Sequence, residues 1–154
     1  LPAVEGNYIV VLKAGCNIPD VLGNFKYTEI SLHGVDYRVL YIGIASDLKR
    51  RIWTNHLHGN GGNSTLRKTL GSLFGYQKIP RDKNYQINKK TKFGAEDENS
   101  LTAWMECNLL FAYLANDKSK ELESFLIDSL LPPLNVEGSK AATLKRVHEL
   151  RCDK

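Results

Sequence analysis

The chain has 154 residues, 42% of them hydrophobic and 25% charged, which supplies the apolar content for one compact domain with a real core. Its 12 Gly and 5 Pro exclude a collagenous or low-complexity chain, and no apolar run reaches the roughly eighteen residues of a membrane span. The net charge of +4 is a modest excess that by itself names no partner.

Residues 8–13 (YIVVLK) form a β-branched apolar run of strand length, followed by the turn residues Gly15, Asn17, Pro19 and Asp20. Runs at 25–32 and 37–44, separated by HGVD, read as a hairpin, so a three-stranded antiparallel sheet is expected near the N-terminus. Ser46 or Asp47 can cap a helix that carries Leu48, Ile52 and Trp53 to about Leu57. The stretch HGNGGNS is too rich in glycine for regular structure. Ser64 then caps a second helix through Leu66, Leu70, Leu73 and Phe74, which Gly71 weakens.

Residues 75–95 are polar, basic and aperiodic, and predict a long surface loop. Asn99 or Ser100 caps a short helix (LTAWMECN). Residues 109–115 (LLFAYLA), apolar on both faces, predict a strand in the middle of a sheet. A helix over 117–131 stops at Pro132 and Pro133, and a last helix opens at Ser139 with Leu144, Val147 and Leu150 on one side. The order predicts one α+β domain over residues 1–154, a small mixed, mainly antiparallel sheet flanked by helices, with no repeat and no interdomain linker.

The charge is unevenly placed. Residues 67–92 hold eight basic side chains against Asp82 alone, about +7, whereas 93–137 hold nine acidic ones against Lys118 and Lys120. A basic stretch interleaved with Tyr76, Tyr85 and amide side chains suits a polyanion, and equally suits a solvated loop. The opening Leu1 and Pro2 are followed by no basic segment and long apolar stretch, so no secretory signal is expected. Cys16, Cys107 and Cys152 are far apart and include no CxxC pair, which argues against a disulfide framework or zinc site and for a cytoplasmic setting.

Glu123 is the most informative single position. Leu122, Phe125, Leu126 and Leu130 recur at helical spacing and define an apolar face, and Glu123 falls inside that arc while Glu121 and Asp128 fall outside. A carboxylate facing a core must be paired, hydrogen-bonded or bound to a cation. An ion pair or a Glu at the rim of the core satisfies the same pattern.

Tyr41, Ile42 and Gly43 spell YIG at a strand end, Arg51 follows on the next helix, and LESFLIDSLLPPLN sets Glu123 on a helix with Asn135 beyond it. In this order, from Gly6 to Asn135, the chain resembles the GIY-YIG nuclease family. Its first motif stands as Gly6-Asn7-Tyr8. The stretches GNSTLRKTLGSL and LTAWMECNLLFAYLAND are similar to a branch of small, single-domain, bacterial-type members. Two departures stand out. An inserted hairpin near residues 16–36 separates Tyr8 from Tyr41, and the offset four residues past Arg51, where the family often carries a histidine, falls on Asn55 with His56 next. His56 then reads either as catalytic or as a hydrogen-bonded core histidine, with His58 as a second candidate.

The resemblance implies a metal-dependent endonuclease that hydrolyses phosphodiester bonds in DNA, RNA not being excluded. It implies that Glu123 holds one divalent cation, Mg²⁺ or else Mn²⁺. Tyr8 would act on the attacking water, which as general base requires its pKa to fall below about 10. Tyr41 would hydrogen-bond phosphate or water, Arg51 would grip the scissile phosphate, and Asn135 would tie its loop to the framework. Lys49, Arg50, Ser64, Thr65, Arg67, Lys68, Lys89 and Lys90 are the candidate contacts to nucleic acid. A soluble monomer or homodimer without membrane contact is expected. The rivals are a catalytically inactive nucleic-acid-binding module of the same fold and a protein-interaction domain that binds no DNA.

Overall fold

The computed structural model describes residues 1–19 and 26–135, and in it the N-terminal apolar runs become strands. β1 (Gly6–Leu12), β2 (Glu29–Leu32), β3 (Val35–Ala45) and the later β6 (Leu109–Ala115) form one sheet in the order β2-β3-β1-β6. Every pairing in it is antiparallel. β2 turns into β3 through His33 and Gly34, at φ of 51° and 79°, the left-handed pair that a two-residue hairpin requires. β1 is central because both of its faces are apolar: Tyr8, Val10 and Leu12 enter one core, and Val11, with Ile9 at its margin, enters the other.

β6 departs from expectation. Its two-sided apolar run predicted a strand in the middle of the sheet, yet among the described residues it pairs with β1 alone and forms an edge. Tyr113 and Leu114 are 49% and 57% exposed. Composition reports which faces tolerate burial, and says nothing of whether a second strand arrives to cover the edge.

Between β3 and β6 the chain runs through a π-helix (Arg50–Leu57), α1 (Thr65–Leu73), β4 (Lys78–Pro80), the single turn α2 (Tyr85–Asn88), β5 (Thr91–Phe93) and α3 (Ala95–Asn108). The region expected to be an irregular loop is therefore a hairpin, β4 pairing antiparallel with β5. Phe93 anchors it: the ring is buried so close to α1 that a Cβ on Gly71 would lie 2.2 Å from it. Gly71 weakens its own helix and in return admits this ring. α3 starts at Ala95, ahead of the Asn99 or Ser100 cap expected, because Gly94 opens it and Glu96, Asp97 and Glu98 occupy the first turn, where the helix dipole favours acids.

α4 (Ser119–Leu130) follows β6. The sheet thus lies between two layers. Leu48, Ile52, Leu66, Leu70, Leu101 and Met105 cover the Tyr8 face, and Ile127 of α4 covers Val11, Val39 and Ile42 on the other. Each such side chain contributes about 1.5–3 kcal/mol by leaving water. The buried stripe of α4 is Leu126, Ile127 and Leu130, whereas Phe125, expected in it, is 66% exposed. Cys16 and Cys107 are unpaired thiols. The helix expected from Ser139, and Cys152, lie outside the described residues. No described helix is long and apolar enough to cross a membrane.

Candidate active site

The antiparallel register brings the two tyrosines together. Tyr8 lies opposite Gly43, and Val10 lies opposite Tyr41, so the phenols are diagonal neighbours on one face, with ring centroids 6.1 Å apart. The β2–β3 hairpin leaves this pairing intact because β2 lies on the far edge of β3. A bulge between Val10 and Val11 introduces Leu40 as an extra residue. It lets Tyr41 face Tyr8 while Val39 faces Ile127. Gly43 is where it is for space: a Cβ there would sit 2.3 Å from the Tyr8 hydroxyl and ring carbon. The ring of Tyr8 occupies the room a side chain would take.

The helix after β3 completes the cluster. Its i→i+5 winding, seen in the His58 N–H that donates to Trp53 O at 3.1 Å, places residues five apart on one face. His56 therefore lies on the face of Arg51 that a residue four along would share in an α-helix, and the extra residue is absorbed by the wider turn. The imidazole is 1% exposed. Its Nε2 lies 2.6 Å from the Tyr8 hydroxyl and its Nδ1 lies 2.7 Å from Ser64 Oγ. The His56 ring stands 5.4 Å from that of Tyr8 and 6.0 Å from that of Tyr41. His58 points elsewhere, against Trp53 and toward Glu106.

Electrostatics in this cluster follow from its dryness. Burial, then the neighbouring Tyr41, raises the Tyr8 pKa well above its ordinary value; Arg51 pulls it down and Glu123 pushes it up. Tyr8 is thus a neutral phenol, where its role as base had called for a lowered pKa. Burial, reinforced by Arg51 and Arg67, lowers His56 from 6.5 to about 3, so the imidazole is neutral too. Glu123 acts on the phenol from α4, half-buried, one helical turn before Ile127.

Asn135 holds the strand that carries Tyr41. Its amide donates to Ile42 O at 2.7 Å and its oxygen accepts Ile42 N–H at 2.9 Å. Leu134 N–H donates to Leu40 O. β2 pairs β3 only through residues 35–38, so the segment after α4 satisfies the edge that β2 leaves open.

A family model described as GIY-YIG catalytic domain matches residues 6–153. The chain belongs to the GIY-YIG catalytic domain family. Its chemistry is of nuclease type, directed at nucleic acid. No curated protein and no solved structure matches.

Within this GIY-YIG domain Asn7, in the middle of the first motif, has a defined local role. Its side chain is buried on the α4 side of the sheet, donates to Ser119 O at 2.7 Å and accepts from Asn116 Nδ2 at 3.0 Å. This amide thereby ties β1 to the start of the helix that bears Glu123.

Two of the expected nucleic-acid contacts of the domain are taken up inside it. Arg67 is fully buried. Its guanidinium pairs with Glu98 at 3.0 Å and donates to the carbonyls of His56 and Leu57 and to Thr102, so it cannot meet a phosphate. The other Glu98 oxygen accepts the N–H groups of Gly61 and Phe93, which binds the π-helix, the glycine loop, the hairpin and α3 into one unit. Ser64 is likewise buried, as N-cap of α1 and partner of His56. Lys49, Arg50, Lys89 and Lys90 are exposed. Thr65, Lys68 and Lys90 line a polar cavity of about 340 Å³ between the glycine loop and the β4–β5 hairpin.

Proposed function

We propose that this chain is a metal-dependent endonuclease that hydrolyses phosphodiester bonds in DNA. What carries the reading is the convergence of Tyr8, Tyr41 and His56 in one contact cluster, with Arg51 and Glu123 both acting electrostatically on the Tyr8 phenol. Among the described residues no group of three or more His, Cys, Asp or Glu sits together. One carboxylate ligand fits a hard cation whose other ligands are water and phosphate oxygens, as Mg²⁺ prefers and Mn²⁺ accepts. Glu123 would hold it. When bound, that cation supplies positive charge where the phosphate and the phenol most need it.

The side chains divide the remaining work. Arg51 would clasp the scissile phosphate and stabilise the charge that grows on it. Tyr41 would hydrogen-bond a phosphate oxygen or the attacking water. Tyr8 would hold that water in line, its oxygen serving as acceptor, with Arg51 opposing the burial that keeps it protonated. His56 would hold Tyr8 in place from the core side. Asn135 would keep Tyr41 in register through Ile42. Lys49, Arg50, Thr65, Lys68, Lys89 and Lys90 would follow the backbone of DNA on either side of the cut.

Supercoiled plasmid with Mg²⁺ tests the reading. The protein is expected to nick or linearise it, Glu123→Ala is expected to lose cleavage at least about 100-fold and to keep binding. Retention of DNA without any cleavage by the unaltered protein favours the inactive binding module, a reading to which the neutral phenol of Tyr8 lends weight. Cleavage of an RNA duplex in preference to DNA would move the substrate class.

A further inference from the structure

The bond between His56 and Ser64 has a direction, and a count of donors and acceptors gives it. Both side chains are buried. The ring orientation is fixed, because each nitrogen lies on an oxygen, at 2.6 and 2.7 Å, and a flipped ring would set carbons there. Ser64 Oγ already accepts the Arg67 backbone N–H at 3.1 Å, as the cap of α1. Among the described residues its one other partner is His56 Nδ1. The neutral imidazole carries a single ring proton.

Were that proton on Nδ1, Ser64 Oγ would accept twice and its own hydroxyl proton would have no acceptor among the described residues, a cost of the kind folded proteins avoid. With the proton on Nε2 the serine hydroxyl and both ring nitrogens are satisfied. The serine O–H donates to Nδ1, Nε2–H donates to the Tyr8 oxygen, and the Tyr8 O–H is left to turn toward the side of Tyr41, whose ring centre lies 6.1 Å from its own.

We propose that Ser64 is a positioning residue that fixes His56 as the Nε2–H tautomer, so that the imidazole donates to Tyr8 and does not take its proton. The tautomer stands on the bond geometry around a neutral His56; its consequence rests on the nuclease reading. A phenolate formed on Tyr8 meets a donor already aimed at it. The proton lost when the Tyr8 O–H bond breaks leaves toward water in the cleft, and His56 is neutral before and after. This is the donor logic of a preorganised site, supplied by a helix cap.

The test is long-range ¹H–¹⁵N correlation NMR of the ¹⁵N-labelled protein at neutral pH, the His56 signals assigned with His56→Gln. An unprotonated Nδ1 and a protonated Nε2 are expected; a protonated Nδ1 overturns the proposal. Ser64→Thr keeps the hydroxyl and is expected to keep the pattern. Ser64→Gly keeps most of the capping, is expected to give mixed tautomers, and is expected to lower the kcat of plasmid cleavage about tenfold with KM little changed. A glycine variant with a pure Nε2–H signal and undiminished rate also overturns it. A protein that shows the Nε2–H tautomer but cuts nothing upholds the assignment and removes the nuclease reading instead.

Discussion

Gly43 shows how one hydrogen atom in place of a methyl decides a site. The Tyr8 ring lies against it at a distance no Cβ permits, and a cheap escape is absent because the ring is itself buried. Gly43→Ala is expected to cost about 1–3 kcal/mol of stability by overpacking. It should reduce cleavage far more than that loss of folded protein explains, as thermal melts beside plasmid assays would reveal. His56 makes a second prediction. Its pKa in the folded protein is depressed to about 3 from 6.5, so between those values the unfolded chain binds the proton and the folded one does not. Its cost to stability is absent above pH 6.5 and grows as pH falls, at up to about 1.4 kcal/mol per unit. Urea unfolding at pH 7 and pH 4.5 should therefore show a steeper loss in the parent than in His56→Gln. Tyr8, Tyr41, Arg51 and Glu123 were legible as positions because a motif orders them along the chain. The bond of Ser64 to His56 was not legible, since nothing in the sequence relates the two across 8 residues of glycine-rich chain. Arg67 was misread because it stands beside Lys68 in a basic run, and the acid that claims it lies 31 residues away.

At the scale of elements, local pattern located most strands and helices and failed where distant packing decides. The β4–β5 hairpin has little periodicity of its own; it exists because Phe93 docks on Gly71 and Glu98 accepts the Phe93 N–H. β6 looks central by composition and is an edge. The π-helix is invisible to patterns drawn for 3.6 residues per turn, yet it alone restores His56 to the face of Arg51. Asn7 links two elements in a way that only the fold displays, since Ser119 is 112 residues away. Asn7→Leu strips partners from buried polar groups of the α4 start and is expected to cost about 1–3 kcal/mol for each one left unpaired. Chemical denaturation would measure it, and a loss below a few tenths of a kcal/mol would show that α4 is held by its apolar stripe alone.

For the whole molecule, the contrast of charge along the sequence becomes a contrast of place. Lys89 and Lys90 stand exposed at the hairpin while Arg67, of the same basic run, is spent inside. The charge that this basic run offers a polyanion is thus smaller than the sequence suggests, and is carried mostly by lysines. Replacing Lys89 and Lys90 by Ala is expected to reduce the slope of log K against log salt by up to about 0.9 per lost phosphate contact on duplex DNA. Melting temperature should stay as it was; titrations at several salt concentrations would read the slope.

The clasp of Leu134 and Asn135 on β3 carries a consequence for how such a protein is handled. A strand that aligns a tyrosine is zipped shut by residues added well after it in synthesis, four beyond the end of α4 in the case of Leu134. On a ribosome, the cluster of Tyr8, Tyr41 and His56 stays unlatched until its closing stitch emerges. A cut by a protease at Leu131 would leave both strands and all the reactive side chains in hand while undoing that stitch.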